Sequence, residues 1–303
     1  IVDAATGEAR RRIPFLRGKA TAVAWSPEGA FIAAANESGA LAVWDAAVLD
    51  KPPLMATLDS GGGLGPALNS LAFVPGGSSL LAGFADGRVV LWDTKAPLTP
   101  RELFHGRRPI HAVAVHPEGL WLAAVSADAT VRLFAPDGSI RATLHHARWP
   151  GRSAAASGGH GLFTGHQDGS VFEWGREVLE TARTRWRHGQ AVFGFEWSPD
   201  GKLAASAARG GTLKLWETDS GRARWEQYAH QFSANAVLFS FDQEKLFSAG
   251  DDGRVQGMEI QSASLVMTFE HAPDARAVSM ALSPDGLHFV TASTRPSAKV
   301  FDV

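Results

Sequence analysis

Few residues of this chain have the type and spacing that chemistry needs, and each was weighed against a plainer role. His145-His146 is the one adjacent histidine pair. A zinc site would need three or four converging ligands with supporting groups behind them, and no such set is written around the pair. Ser206 with His188 is the nearest approach to a nucleophile and its base, but the acid of a triad is missing. Gly61-Gly62-Gly63-Leu64-Gly65 lacks the Gly-Lys-Ser/Thr ending of a phosphate loop and reads as a flexible loop. Glu196 is the clearest carboxylate on a first strand, too isolated for the carboxylate-lined channel of a calcium-dependent hydrolase. Arg148, Arg152, Arg183, Arg185 and Arg187 flank Trp149 and Trp186 and could form a basic aromatic patch, although solvated loop arginines are the plainer reading. The expectation is therefore no catalytic residue, no metal and no cofactor.

The bulk properties agree. The chain has 303 residues, 45% hydrophobic and 20% charged, with a formal net charge of -2. Such a balance argues against nucleic acid as the main ligand, because those domains carry a basic excess. There is no cysteine, which excludes disulfides and thiolate metal sites and fits a reducing compartment such as the cytoplasm, but also fits the periplasm. No apolar run is long enough to span a bilayer as a helix, so membrane insertion is not expected. The start, Ile1-Val2-Asp3, lacks an initiator Met and reads as an excerpt of a longer chain or a processed one.

The elements that would position any site come from a repeat. Strand-like endings recur at Trp44, Trp92, Phe134, Trp174, Trp216, Met258 and Phe301, spaced 48, 42, 40, 42, 42 and 43 residues apart. That period is the one of four-stranded propeller blades. Nineteen residues before six of these anchors stand Trp25, Phe73, Val115, Trp197, Phe239 and Leu282. Pro27, Pro117, Pro199 and Pro284 then open Pro-Glu-Gly or Pro-Asp-Gly turns, in which Pro presets φ and Gly accepts a positive one. The fourth copy has only Ala155 at this offset, which predicts a thin blade.

At these residues the chain resembles the WD-repeat family over essentially its whole length. The resemblance implies an in-series polar network in each blade: a His before the first strand, a Ser or Thr in the second, an Asp in the next tight turn and a Trp in the third. His146, Thr164, Asp168 and Trp174 fit all four positions in blade four. Blade five has His188, Ser206 and Trp216, with Gly210 in place of the Asp. Blade six has His230, Ser248 and Asp252, with Met258 in place of the Trp. Asp86, Trp92 and Asp128 keep fragments of it in blades two and three. Glu173, where other blades carry Val or Leu, must be exposed or partnered.

The fold expected is all-β: one seven-bladed β-propeller of four-stranded antiparallel blades, spanning residues 1–303. The blades fall near 14–58, 59–104, 105–144, 145–186, 187–228, 229–269 and 270–303, the last completed by 8–15. Blade seven ends at its third strand, so the N-terminal strand Glu8 to Phe15 is expected to pair onto it and remove an exposed edge. Between Ala46 and Asn69 lies a Pro- and Gly-rich insertion, read as a long loop that could bring Met55 or Leu64 over the rim.

The resemblance implies an interaction scaffold or sensor module that binds another protein or peptide on the face carrying the loops before the first strands. Register from the 19-residue offset nominates Lys19, Thr21, Asn69, His111, Trp149, Phe193, Asn235 and Arg276, with Gln167 and Asp251 from the turns. Trp149, Phe193, His111 and Arg276 are the expected anchors, since aromatics and Arg dominate interface energies. The alternative is a propeller hydrolase or lactonase with its site at the channel mouth.

Overall fold

In a computed structural model, the structure describes residues 11–14, 18–49, 51–57, 65–95, 97–145, 149–157, 161–175, 182–271, 275–295 and 297–302. All regular elements are strands, and they form seven sheets of four. Blade one comprises β2 (Ala20–Trp25), β3 (Phe31–Asn36), β4 (Ala40–Asp45) and β5 (Leu54–Thr57). Blade two comprises β6 (Leu68–Phe73), β7 (Ser79–Phe84), β8 (Arg88–Asp93) and β9 (Thr99–His105). Blade three has β10 (Ile110–Val115), β11 (Leu122–Ser126), β12 (Thr130–Phe134) and β13 (Ile140–His145). In blade four are β14 (Gly151–Ser157), β15 (Gly161–His166), β16 (Ser170–Trp174) and β17 (Ala182–Arg187). Blade five runs β18 (Val192–Trp197), β19 (Leu203–Ala208), β20 (Thr212–Glu217) and β21 (Ala223–Tyr228). Blade six runs β22 (Ala234–Phe239), β23 (Lys245–Gly250), β24 (Arg254–Glu259) and β25 (Leu265–Glu270). Blade seven has three strands of its own, β26 (Ala277–Leu282), β27 (His288–Ser293) and β28 (Ser297–Asp302).

Its fourth strand is β1 (Arg11–Pro14), which pairs antiparallel with β28 from Arg11↔Val300 to Pro14↔Ser297. The ring therefore closes through the N-terminal strand, as the unfinished last repeat requires. Residues 8–10 and 15 lie outside the described residues. The segment read as a long loop after Ala46 is not all loop: Leu54–Thr57 is the outer strand of blade one, and Met55 lies on that outer edge rather than over the mouth. Leu64 lies outside the described residues.

The core is divided among the seven interfaces between blades. Leu41 and Val43 of blade one pack with Leu80 and Trp92 of blade two, and Phe247 and Phe269 of blade six with Phe289 and Phe301 of blade seven. Middle strands are thus covered on both faces, which is why Ile32-Ala33-Ala34-Ala35 is buried without alternation. Ala155 packs in a cluster of aromatic rings between blades four and five. Phe163 stacks on Phe195 at 5.9 Å and on Trp186 at 5.6 Å, Trp197 meets it edge-on at 4.5 Å, and Trp186 stacks on Trp216 at 5.8 Å. Glu173 has its partner, the Arg185 guanidinium at 3.7 Å.

The polar network is complete as expected only in part. In blade six His230 donates from Nδ1 to Asp252 at 2.9 Å, and its Nε2 meets the Ser248 hydroxyl at 2.9 Å. In blade five Trp216 donates to Ser206 at 2.9 Å, but neither ring nitrogen of buried His188 has a partner among the described residues. Blade four corrects the expected chain. Thr164 accepts from Trp174 at 3.0 Å and bonds His166 at 2.9 Å. His166 reaches back to the Trp149 carbonyl at 3.0 Å, and Asp168 accepts from the Ser170 N–H and hydroxyl instead. His146 lies outside the described residues. Gly210 holds φ +87, a backbone conformation in which alanine would be strained.

Candidate functional site at the channel mouth

Each inner strand carries one β-bulge, at the same place in every blade. The pairing slips at Thr21, Asn69, His111, Arg152, Phe193, Asn235 and Val278 in blades one to seven. A bulge leaves one residue out of the ladder and re-aims its side chain. All seven side chains line a single cavity of about 200 Å³ on the ring axis. Three of them also tie blades together. The Thr21 hydroxyl donates to the Leu68 carbonyl, Asn69 Nδ2 to the Ile110 carbonyl at 2.9 Å, and Asn235 Nδ2 to the Ala277 carbonyl at 2.9 Å. In each case the acceptor is the residue just before the bulge of the next blade.

The structure brings together Thr21, Asn69, His111, Phe193 and Asn235 of the nominated residues. Asp251 stands at the rim beside them, accepting from Asn235 at 2.8 Å and facing Arg276 at 3.9 Å. Lys19 pairs with Glu37 at 3.6 Å on the same rim, and Gln167 accepts from Arg152 at 3.3 Å. Trp149 is displaced from the expected series. Twenty-three residues separate the bulge from the anchor in six blades, but twenty-two separate Arg152 from Trp174. Blade four is one residue shorter in the turn between its first two strands. Carrying the constant offset across it placed Gly151 and Trp149 where Arg152 and Pro150 belong. The backbone confirms the register: Gln167 N–H bonds the Pro150 carbonyl just as Glu37 N–H bonds that of Lys19. The Trp149 indole is 49% exposed. Arg152 was therefore missed as a mouth residue, and the absent Pro-Asp-Gly turn was the available signal.

The titratable groups lining the cavity are His111, Arg152 and Glu196. Burial, with the Arg152 charge beside it, lowers the His111 pKa to about 4, so the ring is neutral at pH 7. Burial lowers His188 to about 4 as well. Glu196 keeps some exposure to the channel but is otherwise enclosed by protein. Its carboxylate accepts from the Trp197 N–H at 3.2 Å, and burial raises its pKa to about 7. Among the described residues no three His, Asp or Glu gather closely enough to hold a metal ion. Among the described residues there is no helix long and apolar enough to cross a membrane.

These shifts have opposite signs in a stability profile. As pH falls below 6.5 the unfolded chain protonates its histidines, while folded His111 and His188 resist down to about 4, so stability is lost on acidification. Buried His166 and His230 are lowered too and act in the same direction. Glu196 works against this: the folded state keeps a proton that the unfolded chain releases above pH 4.5, so its ionisation costs stability as pH rises towards 7. Glu196→Gln is expected to stabilise the protein at pH 8 by on the order of 2 kcal/mol and to leave it unchanged at pH 4. Urea unfolding at the two pH values checks this; equal effects at both would refute it.

A closed ring of seven four-stranded antiparallel blades with a cavity on its axis is a β-propeller. The WD domain, G-beta repeat family matches it at residues 12–45, 58–93, 99–135 and 180–217, in blades one, two, three and five. Telomerase protein component 1 of Mus musculus is 25% identical over 268 residues, covering 88% of this chain and 10% of that protein. Cilia- and flagella-associated protein 52 of Sus scrofa is 22% identical over 244 residues, covering 78% of this chain and 39% of that protein. Striatin-4 of Homo sapiens is 28% identical over 154 residues, covering 50% of this chain and 18% of that protein. The chain spans well under half the length of each of these relatives. Four of its seven blades thus carry WD repeats.

Proposed function

We propose that the chain is a non-catalytic protein-interaction module that receives a protein or peptide across the channel mouth. The observation that carries this reading is the set of seven bulges. They fix seven backbones alike while presenting side chains of six different types, from Thr21 to Val278, to one cavity. Rigid strands that display variable groups from converging loops are a binding surface rather than a reaction centre. The cavity walls hold one imidazole, one guanidinium and one carboxyl, from three different blades, and offer no nucleophile paired with a base. A relative whose name makes it a component of telomerase acts within an assembly, which supports a scaffold role here. The net charge of -2 favours protein over nucleic acid as the partner.

The test is affinity capture from the parent organism with the immobilised chain, followed by solution affinity for the protein captured. His111→Ala with Phe193→Ala is expected to weaken that binding at least tenfold, about 1.4 kcal/mol or more. Phe241→Ser, an exposed residue in the turn between β22 and β23 at the opposite ends of the strands, is expected to leave it unchanged. Binding that survives the mouth variant and fails with Phe241→Ser would move the interface to the other face. Hydrolysis of esters or lactones abolished by the mouth variant would favour an enzyme.

A further inference from the structure

Charge on the binding face is unevenly balanced. Around most of the rim each cation meets an acid: Lys19 with Glu37, Arg88 with Asp86, Arg132 with Asp128 and Arg276 with Asp251. Over blades three to five the pattern breaks. Arg107, Arg108, Arg152, Arg187 and Arg209 form no ion pair among the described residues. The acids near them are Asp168, whose pKa hydrogen bonds from Ser170 and the charge of Arg187 hold below the ordinary range, and Glu196, which shares the cavity with Arg152 and has its pKa raised by burial to about 7.

Two of these arginines are placed to receive a ligand. Arg152 projects from its bulge into the cavity, where Nε is buried without a partner and only Nη2 is engaged, by Gln167. His111 beside it is neutral at pH 7 and supplies no counter-charge. Arg209 stands where blade six has Asp251, and Gly210 where it has Asp252. That exchange removes two carboxylates and opens a pocket lined by Gln190, Arg209, Gly210, Gln231 and Phe232. Phe232 is 58% exposed there. The pocket adjoins the mouth, because Arg209 N–H bonds the Ala191 carbonyl two residues before Phe193.

Resting on the proposed function, we infer that the partner contributes an acidic segment, one carboxylate received by Arg152 and another by Arg209, with an apolar residue between them on Phe193 and Phe232. A carboxylate fits a guanidinium edge with two parallel hydrogen bonds, which would satisfy the orphaned Nε of Arg152. A nucleic-acid strand is disfavoured because across the mouth it would meet Glu37, Asp251 and Asp252.

The test is fluorescence anisotropy with three labelled probes: a dodecapeptide alternating Glu and Leu, the same peptide with Gln for Glu, and a twelve-nucleotide oligothymidylate. The acidic peptide is expected to bind at least tenfold more tightly than its Gln counterpart and to weaken as salt rises. Arg152→Gln and Arg209→Glu should each cost about tenfold, while Lys202→Glu, in the exposed turn between β18 and β19 at the opposite ends of the strands, should change binding less than twofold. Thermal unfolding of each variant confirms its fold, and exposed Arg209 keeps the test decisive if Arg152→Gln does not fold. Equal binding of the two peptides, no binding of either, a loss with Lys202→Glu equal to that with Arg209→Glu, or tighter binding of the oligothymidylate would overturn the inference. A captured partner that is lost with Phe193→Ala but kept with Arg209→Glu would leave the mouth reading standing and remove this one alone.

Discussion

Removing residues 1–15 should abolish the single cooperative unfolding transition of this protein and drive it to self-associate. The β1 strand is the sole fourth strand of blade seven, and its loss exposes the N–H and C=O groups of β28 along Val300, Lys299, Ala298 and Ser297. An unpaired edge of this kind recruits other chains. The ring also loses the chain that runs from blade seven into blade one, leaving those blades joined by the apolar cluster of Ile32, Trp44, Val290 and Val300. A fall in melting temperature of about 10 °C or more is expected, equivalent to a few kcal/mol for a domain of this size, with high-mass species on size exclusion. Adding a synthetic peptide of residues 8–15 should reverse part of the effect by pairing with the open edge. A truncated chain that stays monomeric and melts like the parent would show that β1 contributes nothing to closure.

Trp186→Ala should cost about 3–5 kcal/mol, the range for emptying a large aromatic site in a packed core. Trp186 is 3% exposed and touches Phe163, Phe195, Trp197 and Trp216, so its loss opens the interface between blades four and five. Trp186→Phe should cost far less, about 1–2 kcal/mol, because the indole N–H it discards has no hydrogen-bond partner among the described residues. Urea unfolding of the two variants separates them. Equal losses would mean that the indole nitrogen, not the ring stack, holds the interface.

The architecture was legible in the residues because a propeller repeats its demands. Each third strand needs a large anchor such as Trp44 or Trp216 between two neighbours, and each Pro-Asp-Gly turn needs the same φ angles, so period and blade count follow. Outer strands were less visible: β21 and β25 are mostly exposed and carry no strict alternation, which is why Leu54–Thr57 was taken for loop. Five mouth residues followed from register alone. Arg152 did not, since blade four lacks the turn that would have shown its missing residue. His166 was not foreseen as a partner of Thr164, because the family pattern looks for a histidine before the first strand and His166 lies on the second. The unpaired arginines were invisible for a different reason. Whether an arginine finds a carboxylate depends on neighbours from other blades, and a linear sequence does not list them.

The bulges also separate two kinds of information in one ring. Thr21, Asn69 and Asn235 hand a hydrogen bond to the following blade, and altering them would disturb the join as well as the surface. No such bond runs from Phe193 or Val278, yet their backbones are held in the same irregularity by the strands around them. These sites behave as blank positions in a fixed frame. Lineages of this chain could rewrite them, or an engineer could, and change which molecule is recognised without renegotiating how the ring folds.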